Sequence, residues 1–201
     1  MPALDDLPAP GNLAIMPDQP APAAQDPSHE YTVRAPHYAI LESSQTCWKC
    51  HGSTPVFGFI LPPGHEALWV DDDPELDEWE TVDGSSSLVS SIARMHPDVF
   101  ASIQALTSRY GLSRSNAGGR YFMNFCVHCN AKQGDFFLYS EPGGAFFPMT
   151  QADADAIRAT LVDRPFSASG STGYGTPCDM IAEHIWWSKP TSLHTHAEMG
   201  G

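Results

Sequence analysis

The chain has 201 residues, 42% of them apolar, and carries 24 Asp and Glu against ten Lys and Arg, a net charge of −14. That length supports one domain with a real hydrophobic core plus a tail, and the longest apolar stretches, such as Val56 to Leu61, are far too short to span a bilayer. Five acids fall in residues 1–36 and seven in residues 71–80; the remainder is nearly balanced and shows no basic stripe, which counts against a nucleic-acid partner.

Residues 1–36 are rich in Pro and Ala, with Pro at positions 2, 8, 10, 17, 20, 22, 27 and 36. Proline removes amide donors and breaks helices and sheets, so a flexible or extended arm is expected here. Its start, Met1-Pro2-Ala3-Leu4-Asp5-Asp6, lacks the basic residues and apolar run of a secretory signal. A cytoplasmic protein is therefore expected, in a compartment where paired cysteines favour metal over disulfides.

The ordered domain is expected over residues 37–190, followed by a polar tail at 191–201. His37-Tyr38-Ala39-Ile40-Leu41 predicts a strand, and Pro55 to Leu61 another, closed by Pro62-Pro63-Gly64. Leu68-Trp69-Val70 predicts a third. In the acidic run from Asp71 to Glu80, Leu76 and Trp79 stand three apart, which suggests a short helix that buries both. Leu88, Ile92 and Met95, then Val99, Phe100, Ile103 and Leu106, recur at helical spacing and predict two helices split at Pro97.

Further on, Tyr121 to Phe125 and Phe136 to Tyr139 read as strands. Thr150 to Asp153 reads as a cap for a helix running to about Leu161, with Ala154, Ile157 and Leu161 on one face. The Gly/Ser/Thr-rich residues 167–177 read as a loop, and Asp179 to Trp187 as a last helix.

Within this frame stand two Cys-x-x-Cys pairs, Cys47-Trp48-Lys49-Cys50 and Cys126-Val127-His128-Cys129. Four thiolates on two short loops match the needs of a tetrahedral Zn²⁺ site. The residue after such a knuckle often needs a left-handed backbone. His51 and Asn130 hold those places, and both tolerate positive φ comparatively well. Seventy-five residues separate Cys50 from Cys126. Closing that loop costs roughly 4 kcal/mol by the logarithmic rule. Four-thiolate zinc binding contributes on the order of 10–16 kcal/mol, so the long insertion is no obstacle.

At these residues the chain resembles the zinc-ribbon class, in which two Cys-x-x-Cys knuckles on β-hairpins share one structural Zn²⁺. The resemblance covers the knuckles and their flanking strands. It implies Cys47, Cys50, Cys126 and Cys129 as the ligands. With Thr54-Pro55-Val56 after the first knuckle and Gln133-Gly134-Asp135-Phe136-Phe137-Leu138 after the second, the chain is similar to a group of uncharacterised bacterial proteins, which implies no activity. The expected fold is α+β: a zinc-ribbon-like β core with a long helical insertion between the knuckles.

Other patterns compete. Cys47-Trp48-Lys49-Cys50-His51 also fits c-type haem attachment, with His51 as axial ligand; that reading leaves the second pair unexplained. Rubredoxin-like iron uses the same four ligands. Cys178 with His184, His65 with Glu66, His96, and His194-Thr195-His196 are isolated candidates for chemistry. The acidic run lacks the spacing of an EF-hand loop and suits a basic partner. The function expected is therefore a non-catalytic, zinc-stabilised interaction or accessory protein with a protein partner. The alternatives are an enzyme with a pocket between ribbon and insertion, a haem protein, and a nucleic-acid-binding ribbon.

Overall fold

The computed structural model describes residues 30–69, 76–116, 118–183, 185 and 187. The expected arm before residue 30, the first half of the acidic run (residues 71–75), and the tail at 191–201 lie outside the described residues. In chain order the elements are β1 (Val33–Ala35), β2 (Tyr38–Thr46), β3 (Ser53–Leu61), β4 (His65–Trp69), β5 (Glu78–Val82) and β6 (Ser87–Met95). Then come α1 (Pro97–Gln104), β7 (Tyr110–Arg114), β8 (Arg120–Phe125), β9 (Lys132–Gln133) and a π-helical turn (Phe136–Ser140). The chain continues with α2 (Gln151–Asp155), β10 (Arg158–Val162), β11 (Phe166–Gly173) and α3 (Thr176–Ala182). Among the described residues no helix is long and apolar enough to cross a membrane.

Eight strands form one sheet in the order β10-β2-β3-β6-β11-β1-β4-β5, each neighbouring pair antiparallel. A second sheet has the order β7-β8-β9. The architecture is α+β and mostly antiparallel sheet.

Side chains alternate across a pleat, and here both faces of the central strands β2, β3 and β6 are covered. Tyr38, Ile40, Phe57, Phe59, Val89 and Phe166 point to one side, under Val99 and Ile103 of α1 and Tyr110 of β7. Ala39, Leu41, Val56, Ile60 and Leu88 point to the other, under Leu138, Phe146, Ala154 of α2, and Cys178 and Ile181 of α3. Two-sided burial explains why β2 and β3 read as near-continuous apolar runs.

The strands expected around His37–Leu41, Pro55–Leu61, Leu68 and Tyr121–Phe125 are present, and so is the helix after Pro97. Thr150 and Asp153 form the expected reciprocal capping box of α2, with Ala154 and Ile157 buried.

Several expectations need correction. Residues 87–95 are strand β6, so among the described residues the insertion between the knuckles holds β3 to β8 and one α-helix, α1. Residues 167–173 are not a loop but lie in β11, an interior strand. Phe136 to Tyr139 form the π-helical turn rather than a strand. The helix from Thr150 ends at Asp155, and Leu161 lies on edge strand β10. Trp79 sits on β5, and Leu76 is 62% exposed rather than buried. Strand β1 precedes the start expected at His37 and pairs with both β11 and β4.

Candidate metal centre

The two knuckles are turns between paired strands. The first spans Cys47 to Gly52 between β2 and β3, and the second spans Cys126 to Ala131 between β8 and β9. Their backbones repeat one another. His51 N donates to the Cys47 carbonyl and Asn130 N to the Cys126 carbonyl, each at 2.9 Å. Cys47 N donates to the Gly52 carbonyl and Cys126 N to the Ala131 carbonyl, again at 2.9 Å. His51 has φ 59° and Asn130 φ 57°, the left-handed conformation expected after each second cysteine.

The four sulfurs lie within 4.8 Å of one another. Cys47 Sγ is 3.6 Å from Cys129 Sγ, and Cys50 Sγ is 3.7 Å from Cys126 Sγ. These distances exceed a disulfide bond of about 2.05 Å. They match the edge of about 3.8 Å of a tetrahedron with metal–sulfur bonds of about 2.3 Å. The cluster can therefore hold a metal ion.

The electrostatics of the tetrad point the same way. Burial pushes the Cys47 thiol up, but the amides of Cys50 and Lys49 and the thiols of Cys126 and Cys129 outweigh it and hold it at about 6. Burial likewise opposes ionisation of Cys126, and the amides of Cys129 and His128 bring it below the usual thiol range. Cys129 goes the other way. The Ala131 amide favours its thiolate, yet burial and the neighbouring Cys50, Cys47 and Cys126 push it up to about 12. Backbone donors thus prepare thiolates, while their mutual crowding calls for a cation.

Four hydrogen bonds lock one knuckle to the other. Trp48 Nε1 donates to the Lys132 carbonyl at 2.7 Å, and Val127 N donates to Thr54 Oγ1 at 3.1 Å. His128 Nε2 lies 2.9 Å from the Ser53 carbonyl, and Gln133 Nε2 donates to Cys47 Sγ at 3.4 Å. Sequence reading passed over Thr54 and Gln133 as knuckle partners. Their signal was position alone, since each follows a cysteine pair closely on its outgoing strand.

The other candidates are dispersed. His65 is buried, with Nδ1 2.8 Å from the Pro62 carbonyl. Glu66 accepts two hydrogen bonds from Arg34, at 2.6 and 3.0 Å. His96 Nδ1 caps α1 by accepting from Asp98 N at 3.2 Å. Cys178 is buried, its thiol donates to the Gly173 carbonyl at 3.1 Å, and burial pushes it up. A cleft of about 330 Å³ is lined by Ser90, Tyr139, Thr172, Tyr174 and Cys178 among others, and of these four candidates only Cys178 lines it. His184 and His194-Thr195-His196 lie outside the described residues.

Fold and site together define an α+β protein with a four-cysteine cluster able to hold a metal ion. Comparison with family models, curated proteins and solved structures gives no match for this chain.

Proposed function

We propose that this is a non-catalytic interaction protein of the cytoplasm, held together by one Zn²⁺ on Cys47, Cys50, Cys126 and Cys129 in a zinc-ribbon-like arrangement, and that it binds a protein partner. The observation that carries this reading is the closed ligand set. Four protein sulfurs converge at tetrahedral spacing, which fills the coordination shell. Catalytic zinc keeps a position open for water or substrate, whereas structural zinc does not.

The donors suit the ion: two favoured thiolates, amide N–H groups aimed at sulfur, and a buried position for Cys47 and Cys126. A haem bonded through Cys47 and Cys50 would need both thiols for the porphyrin, and here both face the second pair.

Metal analysis and a visible spectrum of untagged protein test the ion: one zinc equivalent in colourless protein is expected, and a thiolate–iron or haem band overturns it. The non-catalytic reading falls if turnover persists in homogeneous protein and disappears in Cys178→Ser or His96→Ala at unchanged zinc content.

A further inference from the structure

The charge of this chain is strongly segregated. Residues 43–64 and 99–134 contain no Asp or Glu, yet they hold Lys49, Arg109, Arg114, Arg120 and Lys132, half of the ten Lys and Arg. These segments supply both knuckles and the β7-β8-β9 sheet.

Contacts link the strands and knuckles that carry these cations. Trp48, beside Lys49, donates its indole N–H to the Lys132 carbonyl at 2.7 Å. Lys132 Nζ donates to the Arg114 carbonyl at 2.6 Å. Arg114 stands directly opposite Arg120 in the β7–β8 pair. Arg109 Nη1 donates to Asn130 Oδ1 of the second knuckle at 3.1 Å.

Lys49, Arg114 and Arg120 are exposed, and among the described residues no carboxylate pairs with any of the five. Like charges directly opposite on a sheet are destabilising. The Arg114–Arg120 pair is thus a standing cost that an anion relieves. Apolar side chains interleave with the cations: Trp48 is 61% exposed, Leu112 42% and Val127 37%.

We infer that this basic, aromatic-bearing face around the knuckles binds an acidic segment of a partner polypeptide that also presents an apolar side chain. The inference rests on the protein-binding reading above and names the partner's chemistry. Charge complementarity supplies the attraction and steering. Trp48, its ring fixed by Lys132, supplies an anchor of the residue type that dominates interface energetics. A polypeptide suits the face better than nucleic acid does. The rest of the chain is more acidic than its overall −14, so a long polyanion that overruns the five cations meets repulsion, and a short acidic segment does not.

The test uses full-length, zinc-loaded protein and fluorescence anisotropy at about 50 mM salt. The probe is a labelled peptide copying residues 70–81, which combines acids with Leu76 and Trp79. A thymidine oligonucleotide of about the same length is the competitor class. Saturable peptide binding is expected, weakening at least about tenfold when salt rises to about 300 mM.

Arg114→Ser combined with Arg120→Ser is expected to weaken binding about tenfold or more at unchanged zinc content, and Trp48→Ser likewise. Arg164→Ser, beyond the far end of β2 from Cys47, is expected to leave it unchanged. Absence of peptide binding, tighter binding of the oligonucleotide, or equal losses in all three variants overturns the inference. Such a failure is distinct from failure of the non-catalytic reading, which its own turnover assay decides.

Discussion

At His51 the backbone sets the requirement and the side chain is incidental. The residue holds φ 59° so that its amide reaches the Cys47 carbonyl. A left-handed conformation costs a residue with a Cβ roughly 1–2 kcal/mol and costs glycine nothing comparable. His51→Gly is therefore expected to keep its metal and to change unfolding free energy by no more than about 1 kcal/mol, since relief of strain offsets added chain entropy. His51→Val is expected to lose about 1–2 kcal/mol. Metal analysis beside urea unfolding checks both. Metal lost from the glycine variant would make the imidazole a ligand and break the four-thiolate assignment.

Asn124 makes a different residue-scale case. It is 1% exposed, its Oδ1 accepts from Phe57 N and its Nδ2 donates to the Phe57 carbonyl, both at 2.8 Å. The side chain stands in for a strand partner, because β6 pairs with β3 only over Phe59 to Leu61. Asn124→Leu leaves two buried backbone groups unpaired and is expected to cost about 2–5 kcal/mol in chemical unfolding. A loss below about 1 kcal/mol would show that another group or water satisfies Phe57.

Among the elements, β6 shows most clearly why part of the fold was hidden in the sequence. Of Leu88, Ile92 and Met95, whose spacing reads as a helix, Ile92 and Met95 share one face of the large sheet with Val89, while Leu88 packs on the other. The cause is a bulge: Ser169 faces Arg94 while Ser171 faces Ser90, so four steps on β6 span two on β11. Ser91 takes φ 53° there. Strand β11 was illegible for a related reason. A Cβ on Gly170 would lie 2.9 Å from the Ser90 carbonyl, so this close approach excludes the bulky residues that announce a strand. The elements that were legible, β2, β3, β8 and the capped α2, carry local signals that no distant contact overrides.

Asp135 ties the bulge to the π-helical turn. Its Oδ2 accepts from Ser91 N at 2.6 Å. Burial nevertheless pushes its carboxyl up to about 6, outweighing the Ser91 amide. The sign follows from the raised value. The protonated form is favoured in the fold, so this group's contribution is complete below its unfolded pKa of about 4 and is lost as pH rises through about 6. The loss is on the order of 2–3 kcal/mol. Asp135→Asn keeps a carbonyl acceptor and removes the charge. At pH 7 it is expected to be more stable than the parent by about 1–3 kcal/mol, with the difference vanishing towards pH 4. A variant less stable at pH 7 would show that the carboxylate form is the one the fold uses.

For the molecule as a whole, the sequence made the four clustered cysteines legible because Cys-x-x-Cys spacing is a local pattern. It did not show what they join. That depends on β8 lying across the large sheet, with Asn124 bonded to Phe57 and Phe122 packed against the core beneath α1. Nor did a chain-wide charge balance reveal the basic face, since cations remote in sequence meet only through strand pairing.

The four-cysteine cluster is one tie between the end of the β2–β3 hairpin and the β7-β8-β9 sheet, and neither apolar core of the large sheet includes Cys47, Cys50, Cys126 or Cys129. Removal of metal by a chelator should therefore loosen one region rather than dissolve the fold. Hydrogen exchange is expected to accelerate first in residues 44–54 and 120–133, while amides of β6 and β11 stay protected. The thermal midpoint should fall by about 10 °C or more, as loss of a few kcal/mol predicts for a chain of this size. Cys126→Ser should reproduce the pattern without chelator, and added zinc should reverse the first case but not the second. Loss of protection in β11 in step with β8 would mean that the ion supports both sheets, and that two apolar cores alone do not hold the larger one.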